Sequence, residues 1–594
     1  MRKSATLFLS ALMLASLHAV APAGIIDGSR TIEWSKAGVK GGIPNRPIGR
    51  NCRTQDGAVG DGVADDTAAI RACVSNAPTG TAAFLPAGTY MITGSIAIPS
   101  NKTLRGAGPY DTQIRFTGSV GGLTSGVISA STDYLNPLFC PSGAFNVVGS
   151  PAKGATTITL SGTSGLGAGS VVVISRLNGA AGNFDGGTSI EPTDCGYCGM
   201  CDGTRAMTQL TEVQSVNGNV ITIDPPLAHA YDAAYSPQIT PLTSGGKMTS
   251  GVGVENLYIN NQSAGFSGVS ALVRFEFVKD SWVKNVETQN GWVRHVLLYA
   301  TLRATVRDSF FHTESFAASA NGTPSHNYGV SVNNTSSFNL IENNRFDYVL
   351  VGVAMDGGPG SGNVMGYNYV NRQFYQDDAF LQASMASHSA HTTYNLYEGN
   401  QMRKYMSDGI HGSSAYTLLF RNELAGNRDY PEKTDGLWIG LLEGASVLES
   451  WVGDVSGYPG MSGTYERIYP ADPCDVAPDT HSVFRIGYTN INGCTSGNPL
   501  TASTLYRHGN FDYVTGTTRW DAGNPDQSIP SSMYLTAKPA WWCAETPWPP
   551  IGPDLNPMVS DIPAKRQYDG RTCTTGSSGG GGKKPMPPYN LFVK

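Results

Sequence analysis

Ile341-Glu342-Asn343-Asn344, Met365-Gly366-Tyr367-Asn368, Tyr397-Glu398-Gly399-Asn400 and Phe420-Arg421-Asn422 repeat one phrase: an apolar residue, one or two others, then Asn. Upstream it reads Val254-Glu255-Asn256-Leu257, Val283-Lys284-Asn285-Val286 and Val306-Arg307-Asp308-Ser309-Phe310. Successive Asn-type positions lie roughly 22 to 35 residues apart, the self-similarity of stacked structural repeats. No single repeat can bury its own apolar face, so the units must stack. The segments are short, rich in Val, Ile, Leu, Phe and Tyr, and broken by Gly, Asn and Ser, which reads as strands and turns. One strand-turn-strand coil per repeat predicts an all-β, single-stranded parallel β-helix over residues 85–457. Asn343, Asn368, Asn400 and Asn422 are expected to stack as a ladder that satisfies backbone groups at a turn.

Composition agrees. The 594 residues include 72 Gly and only 14% charged side chains, which suits a turn-rich β protein and not a coiled coil or a disordered chain. The net charge of −6 and the lack of any Lys/Arg block argue against a nucleic-acid partner. Arg2 and Lys3, an apolar run from Ala5 to Leu17, and Ala21-Pro22-Ala23 read as an export signal over 1–23. That run is too short to span a membrane, no other long apolar run follows, and the mature protein is expected to be secreted or periplasmic. Ten cysteines suit such a compartment and favour disulfides, with Cys52–Cys73 and Cys474–Cys494 as local staples. Cys195, Cys198 and Cys201 leave two readings, disulfides pinning a loop or three ligands of a metal or Fe–S site.

Six segments follow from the pattern: the leader 1–23, an N-terminal cap with the first coils 24–146, an insertion 147–227, the main coil 228–457, a loop-rich cap 458–569 and a flexible Gly-rich tail 570–594. In the first of these after the leader, Asp65 or Asp66 can cap a short helix that puts Ile70 and Cys73 on one face. The insertion has alternating strands and an Asn217-Gly218 hairpin turn. Trp541-Trp542-Cys543 and Trp548-Pro549-Pro550 suit a cover for the open C-terminal end.

The runs DGVADDTAAI (61–70), FLPAGTY (84–90) and KTLRGAG (102–108) resemble the entry segment of the pectin-lyase-like superfamily, in particular its pectate-lyase and family-28-hydrolase-related N-terminal domain. The resemblance covers roughly 55–115. It implies a right-handed β-helix whose N-terminal end is covered by the short helix. It does not choose among hydrolases, lyases, epimerases, tailspikes and adhesins.

Setting Asn368, Asn400 and Asn422 in register and counting back about a dozen places brings Asp356, His388 and the neighbourhood of Asp408 and His411 to one column. His391 falls beside it, and the loop with Tyr375, Asp377, Asp378 and Phe380 is placed to arch over that face. Glycosidic hydrolysis needs a proton donor and a second carboxylate, so Asp356, Asp377, Asp378, Asp408 and His411 are the catalytic candidates. His388, His391, Arg421, Tyr375 and Tyr405 are the substrate-binding candidates. Ala354-Met355-Asp356-Gly357, Asp377-Asp378 and Ile410-His411-Gly412 are similar to successive motifs of family 28 hydrolases. Ala354 and Met355 depart from that pattern, and no Arg-Ile-Lys follows. The leading expectation is a glycoside hydrolase without a cofactor, acting on a polysaccharide. A uronate lyase with Ca²⁺ near Asp377 and Asp378, and a non-catalytic carbohydrate-binding adhesin, are the alternatives. Sugar, linkage and oligomeric state are left open by the residues.

Overall fold

The computed structural model describes residues 24–120, 126–131, 143–179, 198–201, 203–242, 247–263, 269–313, 327–375, 377–444, 446–470, 481–490, 493–571 and 573–574. The repeats coil as three walls: a 23-stranded sheet carries two, and an 11-stranded sheet is the third. One turn of the coil runs Leu340–Glu342, Arg345–Asp347, Val351–Asp356, and the next runs Val364–Gly366, Tyr369–Val370, Met385–Ser387. Every one of these strands pairs parallel with its equivalent one coil on. The first wall aligns Leu340, Val364, Leu396, Leu418 and Ser450. The third aligns Val330, Val353, Met385, Tyr405, Gly440 and Phe484. The result is the expected right-handed parallel β-helix.

In-register stacking puts like positions over like. Val306, Ile341, Met365, Tyr397, Leu419 and Trp451 therefore form one buried column. Burying each such side chain contributes about 1.5–3 kcal/mol, so strands this short are held by their neighbours and not by their own length.

The first two walls meet at a residue in the left-handed region: Asn256, Asn285, Asp308, Asn343, Tyr367, Gly399, Arg421 and Gly453, with φ from 51° to 72°. Asn and Asp tolerate this because their short polar side chains bond locally. The residue after the bend points inward and builds the ladder. Asn344, Asn368, Asn400 and Asn422 each donate from Nδ2 to the next coil's side-chain oxygen at 2.9–3.1 Å, and that oxygen also accepts their backbone N–H. The expected ladder thus needs one correction. Asn343 lies at the bend, donating to Asp308 Oδ1 at 2.9 Å, and its neighbour Asn344 faces inward. Asn339, Asn363 and Asn395 make a second ladder of the same kind.

On the next coil Asp454 takes the Asn position. Its Oδ1 accepts from Asn422, while Oδ2 is buried and bonded to nothing among the described residues, where an amide would donate. Burial pushes this carboxyl up to about 7, against the hydrogen bonds from Asn422 that hold it down. The native state therefore holds a proton that the unfolded chain has released, and the stability this confers is lost as pH rises through about 7. Asp454→Asn should raise the unfolding midpoint, and raise it more at about pH 8 than at about pH 5. Urea unfolding at the two pH values checks this; an equal or opposite change would contradict it.

The N-terminal end is covered by the helix Thr67–Asn76, which buries Ile70, Cys73 and Val74. Asp65 accepts the Thr67 N–H at 3.0 Å, whereas Asp66 ties down Val59 and Gly60. Cys52–Cys73 is formed. Phe145–Asn146, Thr157–Thr159, Val171–Ser175, Thr208–Asn217, Val220–Asp224 and Gln238–Pro241 make the antiparallel insertion, which thus extends beyond 147–227 on both sides. Arg303 bonds Glu212 of the insertion and Asp280 of the coil, fixing one on the other. Cys198 and Cys201 are both disulfide-bonded, which removes the thiolates a metal would need; Cys195 and Cys474 lie outside the described residues.

Two expectations for the C-terminal part are corrected. Parallel pairing continues past 457, through Tyr506–His508 and Asn510–Asp512. The segment beyond does not close the open end; it runs along the outside of the first two walls. There Trp548 Nε1 donates to Tyr367 OH, Tyr534 OH to Glu342, and Arg421 to Asp554, at 3.1, 2.7 and 2.7–2.8 Å. Cys543–Cys573 staples this strap. No described helix is long and apolar enough to cross a membrane. The expected leader and most of the expected tail fall outside the described residues.

Candidate active site

The third wall positions the chemistry. Its strands end in register, so the outward residue at each C-terminal edge joins a single column: Tyr299, Asn333, Asp356, His388, Asp408, Glu443. Neighbours in such a column stand about 4.8 Å apart, the spacing of paired strands.

His388 Nδ1 meets Asp408 Oδ2 at 2.6 Å. The carboxylate is fully buried and the imidazole 19% exposed, so the ring is the member of the pair that solvent or a ligand can reach. Asp408 Oδ1 accepts the Ile410 N–H at 3.1 Å, which fixes the carboxylate. Burial pulls the His388 pKa down, but the Asp408 charge and hydrogen bond, with Asp356 and Glu443 farther off, outweigh it and raise it to about 9. At neutral pH the imidazole is therefore a cation with a proton to give. Asp356 lies one coil away, bound to Arg294 at 3.1 Å and to Asn333 at 3.3 Å. His411 sets its ring edge-on to His388, centroids 4.8 Å apart. Glu443 is buried behind this group. Its Oε2 accepts the Gly409 N–H at 2.8 Å, and its Oε1 has no hydrogen-bond partner among the described residues. Desolvation, reinforced by the Asp408 charge, pushes its carboxyl well above the usual range.

Of the residues picked from the sequence, Asp356, His388, Asp408 and His411 come together. The others do not. Asp377 and Asp378 sit on an exposed loop at the opposite edge of the wall, where Lys404 Nζ donates to Leu381 O and Gly436 O and Phe380 packs against Trp438. A six-residue strand such as Val351–Asp356 separates the two edges by about 16 Å. Tyr375 packs on Phe380 at that same edge. Tyr405 is buried inside the coil, its hydroxyl on Ser387; it opens the strand Tyr405–Ser407, an odd step before the outward Asp408 that follows that strand. His391 is buried in the turn beyond the wall, and Arg421 is buried under the C-terminal strap. At the position expected for a Ca²⁺, Asp377 Oδ1 accepts the Ala379 N–H at 2.9 Å and the Lys433 Nζ donates to the Asp378 backbone carbonyl at 2.6 Å.

Sequence reasoning misses Glu443, Asn333 and Arg294. The same counting finds two of them once the ladder is read correctly: Glu443 stands eleven residues before Asp454, and Asn333 eleven before Asn344. An Asp in an Asn column hides the first, and the one-residue slip at Asn343 hides the second.

Residues 49–145 match the family described as rhamnogalacturonase A/epimerase, pectate lyase-like. A 65-residue stretch is 45% identical to the pre-neck appendage protein of Bacillus phage phi29, covering 11% of this chain and 7% of that protein. The chain thus spans a small part of the curated relatives it matches. Among solved structures, the tailspike gp49 of Pseudomonas phage LKA1 is 16% identical over 73% of this chain and 69% of that one, with a TM-score of 0.48. The A-module of the mannuronan C-5 epimerase AlgE6 of Azotobacter vinelandii is 11% identical over 78% and 99%, with a TM-score of 0.36. The entry segment that matches this family, the capping helix and the coiled parallel walls together make a pectate-lyase-like parallel β-helix.

Proposed function

We propose that the protein is an exported enzyme that cleaves a polysaccharide, with glycoside hydrolysis as its reaction. The observation that carries this is the His388–Asp408 pair one coil from Asp356, a held proton beside an anchored carboxylate. His388 is the general acid toward the leaving glycosidic oxygen. Asp356, oriented by Arg294 and Asn333, is the nucleophile or the base that activates water, the two roles such hydrolysis requires. Asp408 holds the imidazole in place, and His411 lines the same edge. The description of the family matched at residues 49–145 supports a polysaccharide as the substrate class.

The test is a panel of neutral and acidic polysaccharides scored for new reducing ends and for the ultraviolet absorbance of unsaturated products. New reducing ends without that absorbance are expected. Absorbing products would move the assignment to a lyase, and retained binding without cleavage would make the protein a carbohydrate-binding β-helix.

A further inference from the structure

The cysteine loop of the insertion reads in the sequence as either a staple or a metal site. Its position in the fold suggests a third role. Cys198 Sγ lies 3.3 Å from Ser389 Oγ, and Gly199 N–H points to Gly357 O at 3.5 Å. Ser389 follows His388 and Gly357 follows Asp356, so this one loop touches the turns leaving both groups. Ser389 Oγ also accepts the Gly358 N–H, tying the two turns to each other. The seat is close-fitting: a Cβ on Gly358, whose φ is +74°, would lie 2.3 Å from Gly199 N. Cys198, Ala206 and Ala390 bury one another beneath it. Cys198 is itself disulfide-bonded.

We propose that Ser389, held between Cys198 of the disulfide loop and Gly358, is a positioning residue that sets the separation of Asp356 and His388. This rests on the reading of those two as the reacting pair. Parallel pairing alone fixes the strands up to Met355 and Ser387 and stops there. Beyond that point the main-chain bond from His388 N to Met355 O and the Ser389 bridge hold the two turns together. An insertion seated on those turns can transmit its own rigidity to the site, where displacements of an ångström are costly.

The full-length Ser389→Ala and Gly358→Ala proteins test this; the first removes the hydroxyl bridge and the second lifts the loop, while both keep every cysteine. Three quantities are read: kcat and KM on the polysaccharide found active, the His388 titration by nuclear magnetic resonance, and the thermal midpoint. The expected result is a ~10- to 100-fold loss in kcat with KM within about twofold, together with a His388 midpoint displaced from about 9. Wild-type kcat and titration in both variants would overturn the proposal, and so would a lowered thermal midpoint with kcat and titration unmoved. If the wild type cleaves no polysaccharide, the functional reading fails by itself, and the His388 titration still decides the positioning role: a displaced midpoint supports it, an unmoved one overturns it.

Discussion

Replacing Asp408 with Asn is expected to lower turnover by about 10²-fold or more, the scale of general acid catalysis, here lost through the histidine that Asp408 holds and charges. Asparagine keeps the shape of the side chain and can still accept the Ile410 N–H, so the turn survives. What is lost is the charge that faces His388 Nδ1. The His388 titration should fall from about 9 toward its ordinary 6.5, because burial then acts with only Asp356 and Glu443 left to oppose it. The sign carries into stability. A histidine with a raised folded-state pKa stabilises fully below about 6.5 and loses that contribution as pH rises through about 9. In Asp408→Asn this part of the pH dependence should vanish, while buried carboxyls such as Asp454 keep theirs. Turnover and His388 titration at the wild-type values would remove Asp408 from the site.

The largest effect on folding is expected at Asn400. Its Oδ1 accepts Asn368 N–H and Nδ2–H, and its Nδ2 donates to Met365 O and Asn422 Oδ1, all at 2.9–3.1 Å and all buried. Asn400→Ala strands several of these groups in the coil interior, at about 3–5 kcal/mol in total if each orphaned group costs about 1–3. Asn285→Ala is the control. That side chain sits at the half-exposed bend and donates to Asn256, so its tolerance of positive φ and one half-exposed hydrogen bond are lost, about 1–2 kcal/mol. Urea unfolding of both variants measures the difference. Equal losses would mean that the inward ladder is no more important than the outer row.

The contrast between these two asparagines also explains how much the sequence can reveal. Apolar residues and asparagines recur because each coil must bury the same face and satisfy the same inward backbone groups, so the fold is written as a period. The level of a residue along the coil is written the same way, which is why counting alone brings Asp356, His388 and Asp408 together. Which way a residue faces depends on parity along strands as short as the three residues Tyr405–Ser407, and Asp408, just past that strand's end, is an odd step from Tyr405. Loops are not periodic at all. The Asp377–Asp378 loop is fastened to the other edge by Phe380 and by Lys404 Nζ. Arg421 stands at the level the count assigns, yet it is covered by a segment more than a hundred residues later, through Pro530, Ile551 and Asp554. Glu443 is hidden by the opposite accident, an aspartate standing where the ladder has asparagine.

The most direct measurement is a crystal structure of Asp356→Asn soaked with an oligosaccharide of the polysaccharide that the panel identifies. The variant keeps an amide to bond Arg294 or Asn333 and should bind without cleaving. The predicted result is a sugar lying across the C-terminal edges of the third wall, with a glycosidic oxygen within hydrogen-bond reach of the His388 imidazole and a ring over the substituted side chain. A sugar bound only at the Phe380–Trp438 edge, or along the C-terminal strap, would contradict it.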